Sequence, residues 1–142
     1  MTTATLNIAE ELAALEAATT NTDTTPRDLR GKLEVGKCAR QGDVYVHRVP
    51  DDHKRGSETL DRQVAVGNTQ GSRHIAVGEK INLFWGTTRP SGVDSRAPMG
   101  PVVVAETDWE LTHPEHPNMT FSAGTYQVTH QLDAITGQRV ED

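Results

Sequence analysis

From Leu33 onward, apolar residues recur at every second position, and that period dictates β-strands. In Asp43–Val49, Val44 and Val46 fall on one face, and Tyr45, His47 and Val49 on the other. In Thr125–Leu132, Tyr126, Val128, His130 and Leu132 alternate with Thr125, Gln127, Thr129 and Gln131. The first set is expected to point inward and the second to form a polar face. Shorter runs of the same kind predict strands at Gln63–Val66, His74–Val77, Ile81–Trp85, Val102–Glu106 and Trp109–Thr112. Gly42, Pro50, Gly67, Gly78, Gly86, Pro90, Gly92, Gly100 and Gly124 punctuate these runs. Short strands with a turn signal every ~8–12 residues specify a mainly β fold. It is a small sandwich or barrel, with jelly-roll and cupin-like arrangements among the alternatives.

The N-terminal part has a different period. Ile8, Leu12 and Leu15 form one narrow apolar stripe at helical spacing, and Asn7 with Glu10 matches a capping box. A helix over residues 7–18 would be marginal alone in water, so it is expected to lie against its own domain or a partner. Thr19–Pro26 is a Thr-rich linker, and a short helical turn is expected at Pro26–Arg30, ended by Gly31. The chain therefore divides into an arm, residues 1–31, and a β-rich domain, residues 32–142. Aromatics are only 4% of the sequence, so the core must be built largely from Val, Leu and Ile.

Several functions are disfavoured by composition. The net charge is −6 and no Lys/Arg cluster exists to neutralise a phosphate backbone, which argues against nucleic acid as a partner. One cysteine, Cys38, permits neither an internal disulfide nor a thiolate zinc site, and is expected to be small and partly buried. No apolar run reaches the ~20 residues of a membrane helix. No signal-peptide pattern is visible, so the expected setting is the cytoplasm, or a particle assembled there. Phosphate-binding loops, G-x-G-x-x-G turns and G-x-S-x-G elbows are absent. His53 lies in a charged stretch, Asp51-Asp52-His53-Lys54-Arg55, and is expected to be solvated.

The richest chemistry lies in His113-Pro114-Glu115-His116-Pro117. Two imidazoles flanking a carboxylate are suitable donors for a divalent metal, and the prolines stiffen the turn. A complete site needs a further donor from another strand. The candidate metal set is His113, His116, Glu115 and His74, with His130 and His47 as further donors. The bland alternative is a Pro-bordered turn whose side chains bond local backbone. Between Gly86 and Gly100, the loop GTTRPSGVDSRAPMG carries Arg89 and Arg96 and reads as an exposed contact surface.

From residue 40 on, the chain resembles a group of small proteins found in bacterial and phage genomes. The residues that carry the likeness are Arg40-Gln41-Gly42-Asp43-Val44, His113-Pro114-Glu115-His116, Gly124-Thr125-Tyr126-Gln127-Val128, Gln131 and Arg139-Val140-Glu141-Asp142. A middle motif, G-E-x-T-G-H-x-H in that group, survives here as Gly67, Gly71 and His74. Asn68, Gln70 and Ser72 replace its Glu, Thr and first His. If the group's histidines converge on a metal, this chain lacks one ligand. The resemblance implies a domain of roughly the last hundred residues and a bacterial or phage setting, and it names no activity.

These observations favour a non-enzymatic structural or binding module, most concretely a phage virion-associated protein such as a capsid decoration or minor structural protein. Its partners would be proteins, capsid or further copies of itself, in a homo-oligomer or assembly and not at a membrane. Ile8, Leu12, Leu15, Arg89 and Arg96 are the expected contact residues, and no cofactor is expected beyond the candidate divalent metal. A cupin-like metal-binding protein or enzyme is the alternative. A phage-encoded inhibitor of a host defence protein, acting by acidic mimicry, is the third reading.

Overall fold

The computed structural model describes residues 26–66 and 73–132. The expected helix with Ile8, Leu12 and Leu15, most of the Thr-rich linker, residues 67–72 of the middle motif and the tail from 133 lie outside the described residues.

Among the described residues there are strands and turns but no helix. The strands are β1 (Arg27–Asp28), β2 (Cys38–Gln41), β3 (Val44–Val49), β4 (Arg55–Thr59), β5 (Gln63–Val66) and β6 (Arg73–Gly78). They continue with β7 (Ile81–Gly86), β8 (Met99–Ala105), β9 (Trp109–Thr112), β10 (Met119–Phe121) and β11 (Gly124–His130). They form two open sheets, ordered β1-β10-β9-β6-β5 and β2-β3-β11-β8-β7-β4. The architecture is thus a sandwich, the first of the two expected forms. Every pairing is antiparallel except β1 with β10.

Two segments depart from expectation. Arg27–Asp28 does not form a helical turn; it adds a parallel edge strand beside Met119–Thr120. The β layers therefore begin inside the stretch expected to be arm. Cys38, expected to be partly buried, is exposed at the start of β2.

The inter-sheet core is aliphatic, as the composition requires, around one aromatic trio. Val44, Val46, Leu83, Val103, Leu111 and Val128 surround Trp109, Phe121 and Tyr126. Trp109 stacks on Phe121 at 4.6 Å, and Tyr126 meets Trp109 and Phe121 edge-on at 5.3 and 5.4 Å. These are the preferred geometries for aromatic quadrupoles. The Tyr126 hydroxyl donates to Ser122 O at 2.7 Å, so its polar end is satisfied at the rim.

β11 has both faces covered. Tyr126 and Val128 face the core as expected, but Thr125, Gln127 and Thr129 are buried too. The outer face of the six-stranded sheet carries a cross-strand row, His47, Gln127, Val102 and Phe84. Val102 and Gln127 in that row have no exposure at all. The connection from β3 to β4 crosses this face, with Thr125 Oγ1 donating to Asp51 Oδ1. Loop 87–98 packs nearby: Ala97 is buried, and Pro98 O accepts from His130 N–H.

Candidate functional site: three imidazoles and a hairpin turn

The expected chemistry gathers where hairpins from both sheets meet. His74 sits on β6 beside the core residue Ala76 two positions on, so it faces inward. His113 and His116 occupy the turn between β9 and β10. The ring centroids lie 4.3 Å apart for His74–His113, 4.5 Å for His113–His116 and 6.2 Å for His74–His116. The structure thus brings together the three histidines of the candidate metal set. Glu115 enters differently: it is exposed, and its backbone N–H donates to His113 Nδ1 at 3.0 Å.

The β2–β3 hairpin closes the cluster. Its turn passes through Gly42 at φ +58°, a conformation that favours glycine. This turn projects Gln41 and Asp43 onto His74. Gln41 Nε2 donates to Leu111 O at 3.0 Å and Pro117 O at 2.9 Å. Both amide hydrogens thus point at carbonyls, so Gln41 Oε1 must accept from His74 Nδ1–H, at 2.9 Å. On the other side, His74 Nε2 faces Asp43 Oδ1 at 3.2 Å. A proton has to lie in that contact as well, shared between imidazole and carboxyl. Both side chains are 1% exposed. Both ring nitrogens of His74 therefore have partners within the protein.

His113 has its own local constraint. Because Nδ1 accepts from Glu115 N–H, a neutral His113 ring carries its proton on Nε2. A metal-ligating imidazole shows the opposite pattern, with one nitrogen bare toward the metal and the other donating. Among the described residues, no three His, Cys, Asp or Glu side chains stand where they would hold a metal ion. The cavity beside Gln41, His116 and Pro117 is about 10 Å³, room for about one water and not for a substrate.

Arg40 completes the hairpin. It donates through Nε to Gly42 O at 2.6 Å and through Nη2 to Gln131 Oε1 at 2.9 Å. Gln131 N–H in turn donates to Asp43 O at 2.8 Å. Arg40, Gln41, Gly42, Asp43 and Val44 thus serve as clasp, amide bridge, turn, proton partner and core. The assignment of donors from residue types named only histidines and Glu115, and missed Gln41 and Asp43. The available signal was two hydrogen-bonding side chains flanking a glycine between apolar strands.

The remaining candidates lie elsewhere. His47 is on the outer face, its Nε2 2.8 Å from Thr129 Oγ1, and burial pushes its pKa below the usual imidazole value. His130 is buried at the end of β11 and lines a groove of about 170 Å³ with Trp85, Met99 and Pro101. His53, expected to be solvated, is half-buried with Nε2 3.0 Å from Gln127 Oε1. Arg96 pairs with Asp94 at 3.2 Å, whereas Arg89 donates to Ala97 O through Nε.

The class defined by fold and site is a small β-sandwich whose two sheets are pinned at one end by a polar hairpin. The chain belongs to the family described as Domain of unknown function (DUF8820), which matches residues 40–131. The first and last matched residues, Arg40 and Gln131, are the two that clasp across the site. No curated protein and no solved structure matches the chain.

Proposed function

We propose that this chain is a non-enzymatic binding module, in which the histidine cluster locks the fold and the surface makes the contacts. The observation that carries this reading is that both His74 nitrogens are engaged by Gln41 and Asp43 at 1% exposure. Such a ring is available neither to a metal nor to a substrate. Contact surface of the right chemistry exists elsewhere. Trp85 is 56% exposed beside the groove it lines, and Leu60, between β4 and β5, is 90% exposed. Exposed aromatic anchors beside a groove are typical of protein interfaces.

The finer reading is a virion-associated decoration or minor structural protein. It is supported by the motif likeness to small proteins of bacterial and phage genomes and by the apolar stripe Ile8, Leu12 and Leu15 on a linker. Symmetric repetition multiplies a weak contact of that kind. Light scattering on the full chain tests it. An oligomer that Leu12→Asp with Leu15→Asp, or Trp85→Ala with Leu60→Asp, dissociates is the expected result. A monomer at all concentrations, indifferent to both pairs, overturns it. Point substitutions are preferable to deleting residues 1–30, because Arg27–Asp28 belongs to the sheet.

The close approach of three rings favours a metal-binding protein as the second reading. Elemental analysis after mild purification decides it: stoichiometric zinc, iron, manganese or nickel would favour that reading over the first.

A further inference from the structure

A different cluster lies on the outer face of the six-stranded sheet. His47 and His53, with Arg89 and Pro90 from loop 87–98, line a cleft of about 250 Å³. Its charged and titratable side chains are the Arg89 guanidinium and two imidazoles, with no carboxylate among the lining residues, in a chain of net charge −6. The Arg48 guanidinium lies on the other face of β3, over the Tyr126 ring. Clefts lined by one sign of charge focus potential and concentrate the opposite ion.

The cleft is built, not incidental. Its floor belongs to β3, where His47 is held at Nε2 by Thr129 Oγ1, a residue 2% exposed. His53 is set by Gln127, which is fully buried. Gln127 Nε2 donates to Gly100 O and Val128 O, both at 2.9 Å, so Oε1 accepts from His53 Nε2–H. Two buried polar residues thus hold two imidazoles by one nitrogen each. The roof is loop 87–98, braced by Arg89 Nε donating to Ala97 O at 3.2 Å and Val93 N–H donating to Pro90 O at 3.3 Å. Arg89 has no carboxylate within ion-pair distance among the described residues. Arg96, in the same loop, is neutralised by Asp94 and does not line the cleft. Arg96 thus forms the direct ion pair with Asp94, whereas Arg89 feels the same carboxylate only at longer range.

We infer that this cleft binds a small oxyanion, a phosphate or carboxylate group, between Arg89 and the two imidazoles. The Arg89 guanidinium is a matched donor for such oxygens, His47 offers Nδ1–H when its Nε2 accepts from the Thr129 hydroxyl, and the volume admits only a small ligand. The inference is independent of the binding-module reading, since it uses neither the histidine lock nor the Trp85 groove.

The experiment is a titration of the full chain with sodium phosphate and, separately, sodium acetate, followed by the ring resonances of His47 and His53. Sodium chloride at matched ionic strength is the control. The expected result is saturable shifts with phosphate, acetate or both. Which anion acts tells a tetrahedral from a planar ligand group. Arg89→Gln should weaken binding about tenfold, the loss of one charge-assisted contact, and Arg73→Gln, on the other sheet, should leave it unchanged. Both side chains are exposed, so the fold survives either change. Shifts reproduced by chloride, no saturation with either anion, or equal affinity in Arg89→Gln overturns the inference.

Discussion

Two groups of histidines occupy this sandwich, and they are held in opposite ways. Between the sheets, His74 has one ring nitrogen on Gln41 and the other on Asp43, and is almost free of solvent. On the outer face, His47 and His53 are each held at Nε2 by Thr129 and Gln127 and line an open cleft. An imidazole with both nitrogens engaged is a structural member. An imidazole anchored at one end retains a nitrogen for a ligand. Counting histidines or their spacing would not have separated the two groups; the hydrogen-bond partners do.

The largest effect should come from breaking the inner group. His74→Ala or Asp43→Ala leaves a buried polar partner uncompensated, and should cost about 3–5 kcal/mol in urea unfolding. Values within the scatter of surface substitutions would mean that the lock carries no weight. Gln41→Ala strands Leu111 O, Pro117 O and His74 Nδ1 together, and about 3 kcal/mol is expected by the same measurement. Next comes the support of the outer group. A methyl group at Gly86 would fall 2.7 Å from Gln127 Nε2 and closer still to the Gly100 carbonyl. Gly86→Ala should therefore cost about 1–3 kcal/mol and shift the His53 resonances.

Smaller again is a pH effect confined to the outer face. Burial lowers the His47 pKa below its ordinary 6.5, so the neutral ring is favoured in the folded state. Below that value the unfolded chain binds more protons than the folded one, and stability falls as pH drops. The slope contributed is below about 1.4 kcal/mol per pH unit, flattens once pH passes the folded value, and vanishes above about pH 7.5. Urea unfolding of wild type and His47→Gln across that range checks it: the difference between them should carry the slope. The smallest effect is at Asp94, whose pKa is lowered chiefly by its bond to Arg96. Both groups are exposed, so Asp94→Asn should leave the melting temperature where it is.

Much of the fold was legible as alternation. Gln63–Val66 and Trp109–Thr112 have the bounds that the period gives, and Tyr126 and Val128 face the core. β2, β4 and β10 escaped for a physical reason. Cys38–Gln41, Arg55–Thr59 and Met119–Phe121 are short and carry too few apolar side chains to show a period, and are held by pairing with neighbours remote in sequence or at an edge. Alternation also separates two faces without saying which meets water. Gln127 belongs to the polar set of β11, yet it is buried because connections from elsewhere in the chain cover that face.

The site was legible by half. His74, His113 and His116 were named from their donor chemistry, and the structure sets their rings together. What occupies His74 was not legible, because Gln41 and Asp43 lie more than thirty residues away and carry no metal-ligand spacing. His53 was misplaced for the same reason: its partner is 74 residues distant.

Nitrogen-15 spectra of the histidine side chains put the lock to its most direct test. Here His74 Nδ1 should appear as a protonated, hydrogen-bonded nitrogen that loses its signature in Gln41→Ala and is indifferent to added zinc. A bare His74 Nδ1, or a His74 resonance that moves stoichiometrically with zinc, would show that the ring serves a ligand and not the fold.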